Sequence, residues 1–544
     1  MQRRIQAVLS LADFMIPARR GAVLARFHIF FAVYRLLLFA YKKAAAAPSL
    51  IAPQAVFAVL HPFPAYLKGC KKQGGFCKAL CPRIHYNKAR RQGNLPGGNL
   101  PNTTVNSVGP KQTGTQILRR HIIMDMSYLK DMPIAVLGGG AVGKTMAADC
   151  ALAGKEVRIW DQPEFAKRNF VNIEKTGITL SGNQFSFFGY QRKGIAKVAL
   201  ATDDLAKAVK GAGIIIVATV ALGHEAIFRE LVPLLEDGQV IHILPDNCGT
   251  LVLRKIMREM GCTKDVVVGA WYTAPYGIRV VRRGGVVTNE CKVEDRITTI
   301  RGCALPMKDN EKFLASAYYI PAFDAIIDAE GEVTISKKGE EFHHGFVEGN
   351  TVLDINLSNV NPVIHVPGTV LAVSTMQNFD TVLGKNKADY SLYAFGACPA
   401  IAEVQAKFWE EEKALAAAME VGLCTVNYED FFSRTTMYGK EYMGPDFAVP
   451  YEENYPNFWG DGPFDLENRY ITEDVPVGCY LMSQLGKKYN VPTPIIDSMI
   501  LLASTMLKRD LAGDSKWTLD YLDIGHMTHE QLQKYLREGE FTAK

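Results

Sequence analysis

The segment IAVLGGGAVGKTMAADCALAGKEVRIWD, residues 134–161, constrains the fold of this 544-residue chain more than any other part of the sequence. An apolar strand leads into a glycine-rich turn, a helix of small residues begins at that turn, and a second apolar strand follows. This order is typical of a β-α-β unit in which the N-terminus of the helix faces a phosphate group. The sequence therefore predicts a parallel α/β sheet that begins near residue 133.

The glycine turn fits two phosphate-binding patterns. Counted from Gly138 it reads G-x-x-x-x-G-K-T, which ends in Lys144 and Thr145 and is the pattern of a nucleoside triphosphate loop. Gly138, Gly140 and Gly143 also form G-x-G-x-x-G, the pattern of a dinucleotide-binding turn. Both patterns require a strand, a turn and a helix, so the turn alone does not separate them.

Residues downstream favour the dinucleotide. Asp161 follows Gly143 by 18 residues and comes directly after the strand EVRIW, where a dinucleotide site places an acid that binds ribose hydroxyls. A triphosphate site needs an apolar strand that ends in Asp, and the best candidate, GIIIVATVALGH at 213–224, offers Thr and Ala instead. A carboxylate at Asp161 repels a 2′-phosphate and so favours NAD, whereas Lys167 and Arg168 keep NADP possible.

The sequence thus predicts NAD as the cofactor, with NADP as the alternative. In this interpretation Lys144 is an exposed residue of the first helical turn and Thr145 is a hydroxyl on the helix surface. The residues predicted to bind the cofactor in this unit are Gly138, Gly140, Ala141, Val142, Gly143 and Asp161.

The rest of the chain indicates two kinds of domain. Continuous apolar strands at 213–219, 239–244 and 265–271 each follow a helical segment, and such strands are typical of a parallel sheet buried on both faces. From about Phe342 the pattern changes to long helical segments, such as 397–422 and 492–507. The predicted fold class is α/β plus all-α, with a Rossmann doubly wound parallel sheet at 124–340 and a helical domain at 341–544.

Residues 1–123 form a basic arm of a different composition. Before Asp125 there are 19 Lys and Arg against a single acid, Asp13, so the arm carries a net charge of +18. This composition is typical of a transit peptide, or of sequence translated ahead of a true start at Met124 or Met126. No core is apparent in the arm, which is predicted to be disordered or a non-native extension.

Several partners and sites are not expected. The whole chain sums to +5, so the part after the arm carries −13, which gives no electrostatic reason for nucleic acid binding. The apolar run 21–40 is interrupted by charged and polar side chains and predicts no stable membrane span. Cys70, Cys77 and Cys81 lack the spacing of a metal site and are predicted to be free thiols.

Eleven scattered cysteines favour a reducing compartment, predicted to be the cytoplasm, or an organelle if the arm is a transit peptide.

Two stretches of the helical half carry possible chemistry. In LSNVNPVIHVPGTV, His365 lies between two prolines and near Asn359 and Asn361, and histidine is the side chain best suited to exchange protons near neutral pH. In ENRYITEDVPVGC, Arg469 could clamp a carboxylate or a pyrophosphate, and Asp474 could orient a histidine ring. Each stretch is also compatible with a capped helix start that has only a structural role.

The body of the chain resembles the octopine/nopaline (opine) dehydrogenase family from about residue 133 to its C-terminus. The resemblance is carried by GITLSG at 177–182, ATDDLAKAVKGAGIIIV at 201–217 and TAPYGIR at 273–279, and by two motifs in the helical half. NPVIHVPG and RYITEDVPVG are similar to the family's catalytic signatures Asn-Pro-x-x-His and Arg-Tyr-x-x-Glu-Asp-x-Pro.

The resemblance implies an NAD(P)H-dependent enzyme that condenses the amino group of an amino acid with an α-keto acid such as pyruvate and reduces the imine. It implies that His365 is the general acid/base and that Asp474 orients it. It also implies that Arg469 contacts the cofactor pyrophosphate or a substrate carboxylate, and that Thr273 lies near the substrate. Asn361 is predicted to bind the substrate, because its amide group is available to the pocket. The expected partners are small molecules, and the chain is expected to be a monomer or a dimer.

The sequence departs from the family at two points. GAWY precedes TAPYGIR where relatives tend to carry a Glu, and VALGH follows GIIIVAT where Pro-Ala-x-x-His is usual. Both departures concern the identity of the substrate, and His224 is predicted to be structural. Two other functions stay open: a simple 2-keto or 2-hydroxy acid reductase of the ketopantoate reductase or glycerol-3-phosphate dehydrogenase type, and a non-catalytic nicotinamide-binding protein.

Overall fold

The computed structural model describes residues 125–182, 192–283, 286–296, 300–323, 346–392, 399–423 and 462–543. The basic arm, its three cysteines and the apolar run 21–40 lie outside these ranges, as does the predicted domain boundary at residue 340. Every described residue belongs to one compact unit of the chain.

The described residues form twelve strands in two sheets. The strands are β1 (Ile134–Leu137), β2 (Val157–Trp160), β3 (Ile178–Gly182), β4 (Gly194–Ala196), β5 (Leu200–Thr202), β6 (Ile214–Val217), β7 (Val240–Ile243), β8 (Val267–Trp271), β9 (Tyr276–Arg283), β10 (Val286–Arg296), β11 (Ile300–Ala304) and β12 (Phe346–Glu348).

The larger sheet is the predicted doubly wound sheet. Its strand order is β12-β11-β8-β7-β6-β1-β2-β5, and every neighbouring pair is parallel except β8 and β11. Strands β1 and β6 are buried along their whole length, as their continuous runs of Ile, Val, Ala and Leu predict. Strand β2 lies on one side of β1, and β6, which follows later in the chain, lies on the other side. This reversal of strand order creates a crevice at the carboxyl ends of β1 and β6, where ligands bind in such sheets.

Helices surround the sheet and then make up the second lobe. Those of the first lobe are α1 (Ala141–Leu152), α2 (Pro163–Asn169), α3 (Ile173–Thr176), α4 (Leu205–Val209), α5 (His224–Leu231), α6 (Gly249–Glu259) and α7 (Asn310–Ala317). Those of the helical lobe are α8 (Val352–Leu357), α9 (Asn361–Leu371), α10 (Val373–Gln377), α11 (Pro399–Ala418), α12 (Arg469–Thr472), a π-helical turn (Asp474–Cys479), α13 (Tyr480–Tyr489), α14 (Pro494–Leu507) and α15 (His529–Glu538). Among the described residues, no helix combines the length and apolarity needed to cross a membrane.

Local sequence explains where several of these helices begin. The Thr351 hydroxyl accepts the backbone N–H of Asp354 and so caps α8, and Thr528 and Gln531 form a capping box at the start of α15. Proline occupies the first turn of α14 at Pro494, a position that needs no backbone N–H donor.

A second, four-stranded sheet was not predicted. Its order is β4-β3-β10-β9, and it packs against α1 on the side that faces away from the large sheet. The pattern of its strands is hard to recognise because β9 (YGIRVVRR) and β10 (VVTNECKVEDR) mix Val with charged side chains, and because β3 and β10 lie more than a hundred residues apart. The fold class is confirmed as a doubly wound sheet followed by a helical lobe, with this sheet as an addition.

A buried polar network joins the two lobes at the loop after β7. The Asp246 carboxylate accepts hydrogen bonds from the Thr250 N–H, the Thr250 hydroxyl and the Asn356 amide at 2.7–2.9 Å. Asn359 donates to the Asn247 side chain at 2.9 Å, and the Trp517 indole N–H donates to the Asn247 carbonyl at 3.1 Å. These bonds hold the start of α9, which carries His365, against the carboxyl edge of the large sheet.

Candidate active site

The glycine turn between β1 and α1 is shaped by close backbone contacts. Gly138 has a φ of +116°, and a Cβ there would lie 2.5 Å from the Ala218 carbonyl oxygen. A Cβ on Gly143 would lie 1.8 Å from the Gly138 carbonyl oxygen, so only glycine allows α1 to start this close to the turn. A Cβ on Gly140, in contrast, would meet nothing within 4 Å.

These features fit a dinucleotide pyrophosphate. The open space at Gly140 lies at the N-cap of α1, a helix of twelve residues whose first backbone N–H groups lack helical partners. Ala141 and Val142 begin that helix, so their N–H groups lie in the same turn. On the other side of the turn the buried Thr219 hydroxyl has no hydrogen-bond partner among the described residues. The turn therefore offers donors and room where a phosphate group would bind.

Asp161 lies at the carboxyl end of β2, directly against the glycine turn. A Cβ on Gly139 would be 2.7 Å from Asp161 Oδ2, and the same oxygen accepts the Asn169 amide at 2.7 Å. Asp161 Oδ1 accepts the Gln162 N–H at 3.0 Å, and burial raises the pKa of this carboxyl. A carboxylate has about four acceptor positions, so this one can still accept hydroxyl groups.

Lys144 does not serve the glycine turn, and the prediction that it is exposed is wrong. Its side chain is 1% exposed, and Nζ donates to the Thr288 carbonyl oxygen at 3.2 Å and to Asn289 Oδ1 at 3.0 Å. Thr145 is also fully buried, so its prediction as a surface hydroxyl is wrong too. Both residues are covered by the second sheet, and Lys144 ties α1 to β10 instead of pointing to a triphosphate.

His365 and Asp474 form a hydrogen-bonded pair in the helical lobe. His365 Nδ1 lies 2.8 Å from Asp474 Oδ2, and each residue is 6% exposed. His365 is in the second turn of α9, and Asp474 opens the π-helical turn 109 residues later. Gly478 lets these two segments meet, because a Cβ there would lie 2.6 Å from Pro362.

The surroundings of His365 tune its proton affinity. Burial lowers the pKa of His365 from its ordinary value, the Asp474 carboxylate acts in the opposite direction, and the charges of Arg469 and Arg279 lower it further. The Tyr470 ring stacks on the imidazole, with 3.6 Å between centroids and 12° between planes. The imidazole is thus fixed in orientation by a carboxylate at one nitrogen and an aromatic ring on one face.

The segment that carries Asp474 also reaches the crevice at the carboxyl ends of β1 and β6. Glu473 Oε1 accepts the backbone N–H of Ala221 at 2.9 Å, and Ala221 lies in the loop after β6. Arg469 Nε lies 3.6 Å from Glu473 Oε2, and the Arg469 side chain is 58% exposed. Arg469 therefore lies on the same short segment as Asp474, with its guanidinium open to solvent.

The two predicted substrate residues lie at the edges of the same region. Thr273 is half-buried and follows β8, whose carboxyl end lies on the edge of the sheet where the glycine turn also lies. Asn361 opens α9 one turn before His365, and its N–H donates to Asn359 Oδ1 at 3.1 Å.

Sequence reasoning missed two residues near the predicted site. The charge of Arg279, in β9, lowers the pKa of His365. Arg279 belongs to the TAPYGIR motif, which could have indicated it, but the sequence prediction named only Thr273 of that motif. Asp246 joins the two lobes, and burial raises the pKa of its carboxyl to about 6. A single acid in a loop carries no pattern from which that role could have been predicted.

Among the described residues there is no group of three or more His, Cys, Asp or Glu that could hold a metal ion. The arrangement contains a buried imidazole, a carboxylate that fixes its orientation, two nearby arginines and a glycine turn with room for a phosphate group. These are the groups that reduction of a carbonyl or an imine requires of a protein that binds a nicotinamide cofactor.

Comparison with known families matches the two lobes separately. Residues 348–507 match the model of the NAD/NADP octopine/nopaline dehydrogenase alpha-helical domain. Residues 133–246 match the model of the NAD-dependent glycerol-3-phosphate dehydrogenase N-terminus. The second match covers the dinucleotide-binding half, which many dehydrogenases share.

Relatives align along both lobes. An opine dehydrogenase of Arthrobacter sp. (strain 1C) is 27% identical over 398 residues, which cover 72% of this chain and 96% of that protein. The vitopine synthase of Allorhizobium ampelinum is 24% identical over 399 residues, covering 72% of this chain and 95% of that protein.

Solved structures show the same fold. Octopine dehydrogenase in complex with NADH and agmatine superposes with a TM-score of 0.55 at 18% identity, over 76% of this chain and 99% of that chain. A second octopine dehydrogenase structure, with NADH and L-arginine, superposes with a TM-score of 0.52 over the same shares of the two chains. The sequence motifs, the helical-domain match and these alignments agree, and together they support a similarity to the octopine/nopaline (opine) dehydrogenase family over both lobes.

Proposed function

We propose that this protein is an opine dehydrogenase that uses NAD(P)H to join an amino acid to an α-keto acid such as pyruvate. The amine and the keto group condense to an imine with loss of water, and reduction of that imine gives an N-(carboxyalkyl) amino acid. The observation that carries the proposal is the His365–Asp474 hydrogen bond, because it pairs the two family motifs at 2.8 Å across 109 residues. The Arthrobacter and Allorhizobium relatives support the same reaction.

In this proposal His365 is the general acid/base. Asp474 Oδ2 accepts the Nδ1–H, which leaves proton exchange with the substrate to Nε2. Because burial lowers the pKa of His365, the imidazolium gives up its proton readily when it protonates the keto oxygen or the imine nitrogen. Asp474 stabilises the imidazolium that forms when the proton returns.

The cofactor is assigned to the crevice between β1 and β6. Gly138, Gly140, Ala141, Val142 and Gly143 would hold the pyrophosphate, and Asp161 would accept the ribose hydroxyls. Arg469 would contact the pyrophosphate or a substrate carboxylate, and Thr273 and Asn361 would contact the substrates. When bound, the dinucleotide supplies the hydride, so the protein provides position, a proton and charge.

The decisive assay is NADH oxidation by the full-length protein with pyruvate alone and with pyruvate plus each of a panel of amino acids. We expect turnover only when both substrates are present, and a product whose mass equals the two substrates minus one oxygen atom. Full turnover with pyruvate alone would instead identify a simple keto acid reductase. The same assay with NADPH gives the cofactor preference, which the buried Asp161 leads us to expect in favour of NADH.

A further inference from the structure

Two adjacent acidic residues of the helical lobe point to different partners. Asp474 faces His365, whereas Glu473 faces the loop after β6 in the first lobe. That loop is the second wall of the crevice, because a Cβ on Gly138 would lie 2.5 Å from the Ala218 carbonyl oxygen at its start. Two consecutive residues therefore contact different parts of the site: Glu473 contacts the loop beside the crevice, and Asp474 contacts the imidazole.

The Glu473 contact is built as a specific one. Glu473 is 4% exposed, its Oε1 accepts the Ala221 N–H at 2.9 Å, and Ala221 itself is 1% exposed. The second oxygen, Oε2, is buried and makes no hydrogen bond among the described residues, with Arg469 Nε at 3.6 Å. Burial of a carboxylate is costly unless its oxygens are paired, and the Ala221 N–H supplies one such partner.

We propose that Glu473 is a positioning residue that couples the cofactor-binding loop to the His365–Asp474 pair. It holds the loop through the Ala221 N–H, keeps Arg469 beside it through its charge, and fixes the backbone from which Asp474 reaches His365. This inference rests on the proposed function for its kinetic consequences but not for its effect on NADH binding.

Removal of the Glu473 side chain leaves the Ala221 N–H buried without an acceptor and releases Arg469. Loss of an acceptor to a buried N–H costs enough for roughly a tenfold change in an equilibrium constant. In Glu473→Ala we therefore expect an NADH Kd about tenfold higher, measured by NADH fluorescence on the full-length protein. At saturating NADH we expect kcat to fall at least about tenfold and the pH profile of kcat to shift, because Asp474 no longer holds His365 in place.

Glu225 provides a matched control. It also joins the two lobes, since its Oε2 accepts the Tyr521 hydroxyl at 3.1 Å, but it contacts neither Ala221 nor the segment 469–474 in any described hydrogen bond. Glu225→Ala should leave the NADH Kd and the pH profile within about twofold of those of the unaltered protein. Equal effects of the two substitutions would overturn the proposal in favour of a general contact between lobes.

A double variant tests the coupling directly. In Asp474→Asn the orienting carboxylate is already lost, so adding Glu473→Ala should leave kcat unchanged while it still raises the NADH Kd. Additive losses in kcat would overturn the coupling. If Glu473→Ala fails to fold, Glu473→Gln decides, since it keeps an acceptor for Ala221 but places an amide beside Arg469. We expect an NADH Kd at least about threefold higher, and an unchanged or lower Kd would overturn the proposal.

Failure of the proposed function would look different. The unaltered protein would then bind NADH without turnover on any pair of amino acid and keto acid. The comparison of Glu473→Ala with Glu225→Ala in NADH titrations would still decide whether Glu473 holds the cofactor-binding loop. An NADH Kd that stays the same, together with a lower Tm alone, would reduce Glu473 to a structural residue.

Discussion

At the scale of single residues, His365 carries the proposed chemistry, and its removal separates binding from turnover. Its imidazole lies on the helical lobe, whereas the residues assigned to the cofactor, apart from Arg469, lie on the first lobe. We expect His365→Ala to lower kcat by about a hundredfold or more while the NADH Kd changes little, because general acid–base catalysis contributes about that much. Steady-state kinetics and NADH titration of the same preparation provide the measurement.

Asp474→Asn is the companion variant. An amide can still meet the imidazole but cannot stabilise an imidazolium as a carboxylate does, so we expect a lower kcat with nearly unchanged NADH binding. Loss of NADH binding in His365→Ala would mean that the residue has been given the wrong role.

His224 provides a separate test based on pH. The residue is buried, and burial lowers its pKa to about 4, while a hydrogen bond with the Thr219 backbone acts in the opposite direction. In the unfolded chain the pKa is near 6.5, so the unfolded state binds the proton first as the pH falls. The stability due to neutral His224 is therefore complete above about pH 6.5 and is lost as the pH falls toward 4.

Between pH 7 and pH 5 this group alone should lower the free energy of unfolding by about 2 kcal/mol. His224→Leu should keep the Tm at pH 7 close to that of the unaltered protein and should lose less Tm on acidification to pH 5. Thermal unfolding of both proteins across this range is the measurement. Parallel losses of Tm would contradict the assignment, and loss of NADH binding would show that His224 is more than structural.

At the scale of elements, the glycine turn contains one glycine that close packing requires and another that borders open space for a ligand. Gly143→Ala places a Cβ 1.8 Å from the Gly138 carbonyl oxygen, so α1 must shift, at a cost of about 1–3 kcal/mol in stability. Gly140→Ala places its Cβ in open space and should leave the Tm unchanged. We nevertheless expect Gly140→Ala to weaken NADH at least about tenfold, because the methyl group occupies the place of a phosphate oxygen.

Thermal unfolding and NADH titration of the two variants separate a binding cradle from a tight turn that merely packs. If Gly140→Ala bound NADH as well as the unaltered protein, the cradle would have to lie elsewhere. The pair is matched because both substitutions add one methyl group to the same turn.

The elements that could be predicted from the sequence are those with a strong local signal. Strands β6, β7 and β8 lie within one or two residues of their predicted bounds, because continuous apolar runs are local features. The second sheet could not be predicted, since β3 and β10 pair across more than a hundred residues of mixed pattern. Lys144 is buried because this sheet covers α1, and the sequence around Lys144 carries no sign of that contact.

The candidate site shows the same limit. Only the resemblance to family motifs pairs His365 with Asp474, because nothing in a linear sequence measures the distance between residues so far apart. The structure places them 2.8 Å apart, while their catalytic roles stay proposals. Asp246 has no motif at all, and only the three donors that surround it reveal that it joins the lobes.

At the scale of the whole molecule, the basic arm is expected to be dispensable for catalysis. All the residues proposed for the site lie between 138 and 474, within the compact unit 108–544. We expect a chain that starts at Met124 to keep kcat and the NADH Kd within about twofold of those of the full chain. Kinetics of the two proteins provide the measurement, and a truncated chain that folds but does not turn over would show that the arm is part of the enzyme.

The π-helical turn Asp474–Cys479 makes the length of its segment as important as its side chains. A π-helical turn holds one residue more than an α-helical turn, and each residue of an α-helix advances the direction of the side chain by about 100°. Deletion of one residue there would restore an ordinary helix and rotate Glu473 and Asp474 away from Ala221 and His365. The number of residues in this segment thus sets the directions in which Glu473 and Asp474 point. A substitution changes the strength of one contact, whereas an insertion or a deletion turns both side chains away from their partners.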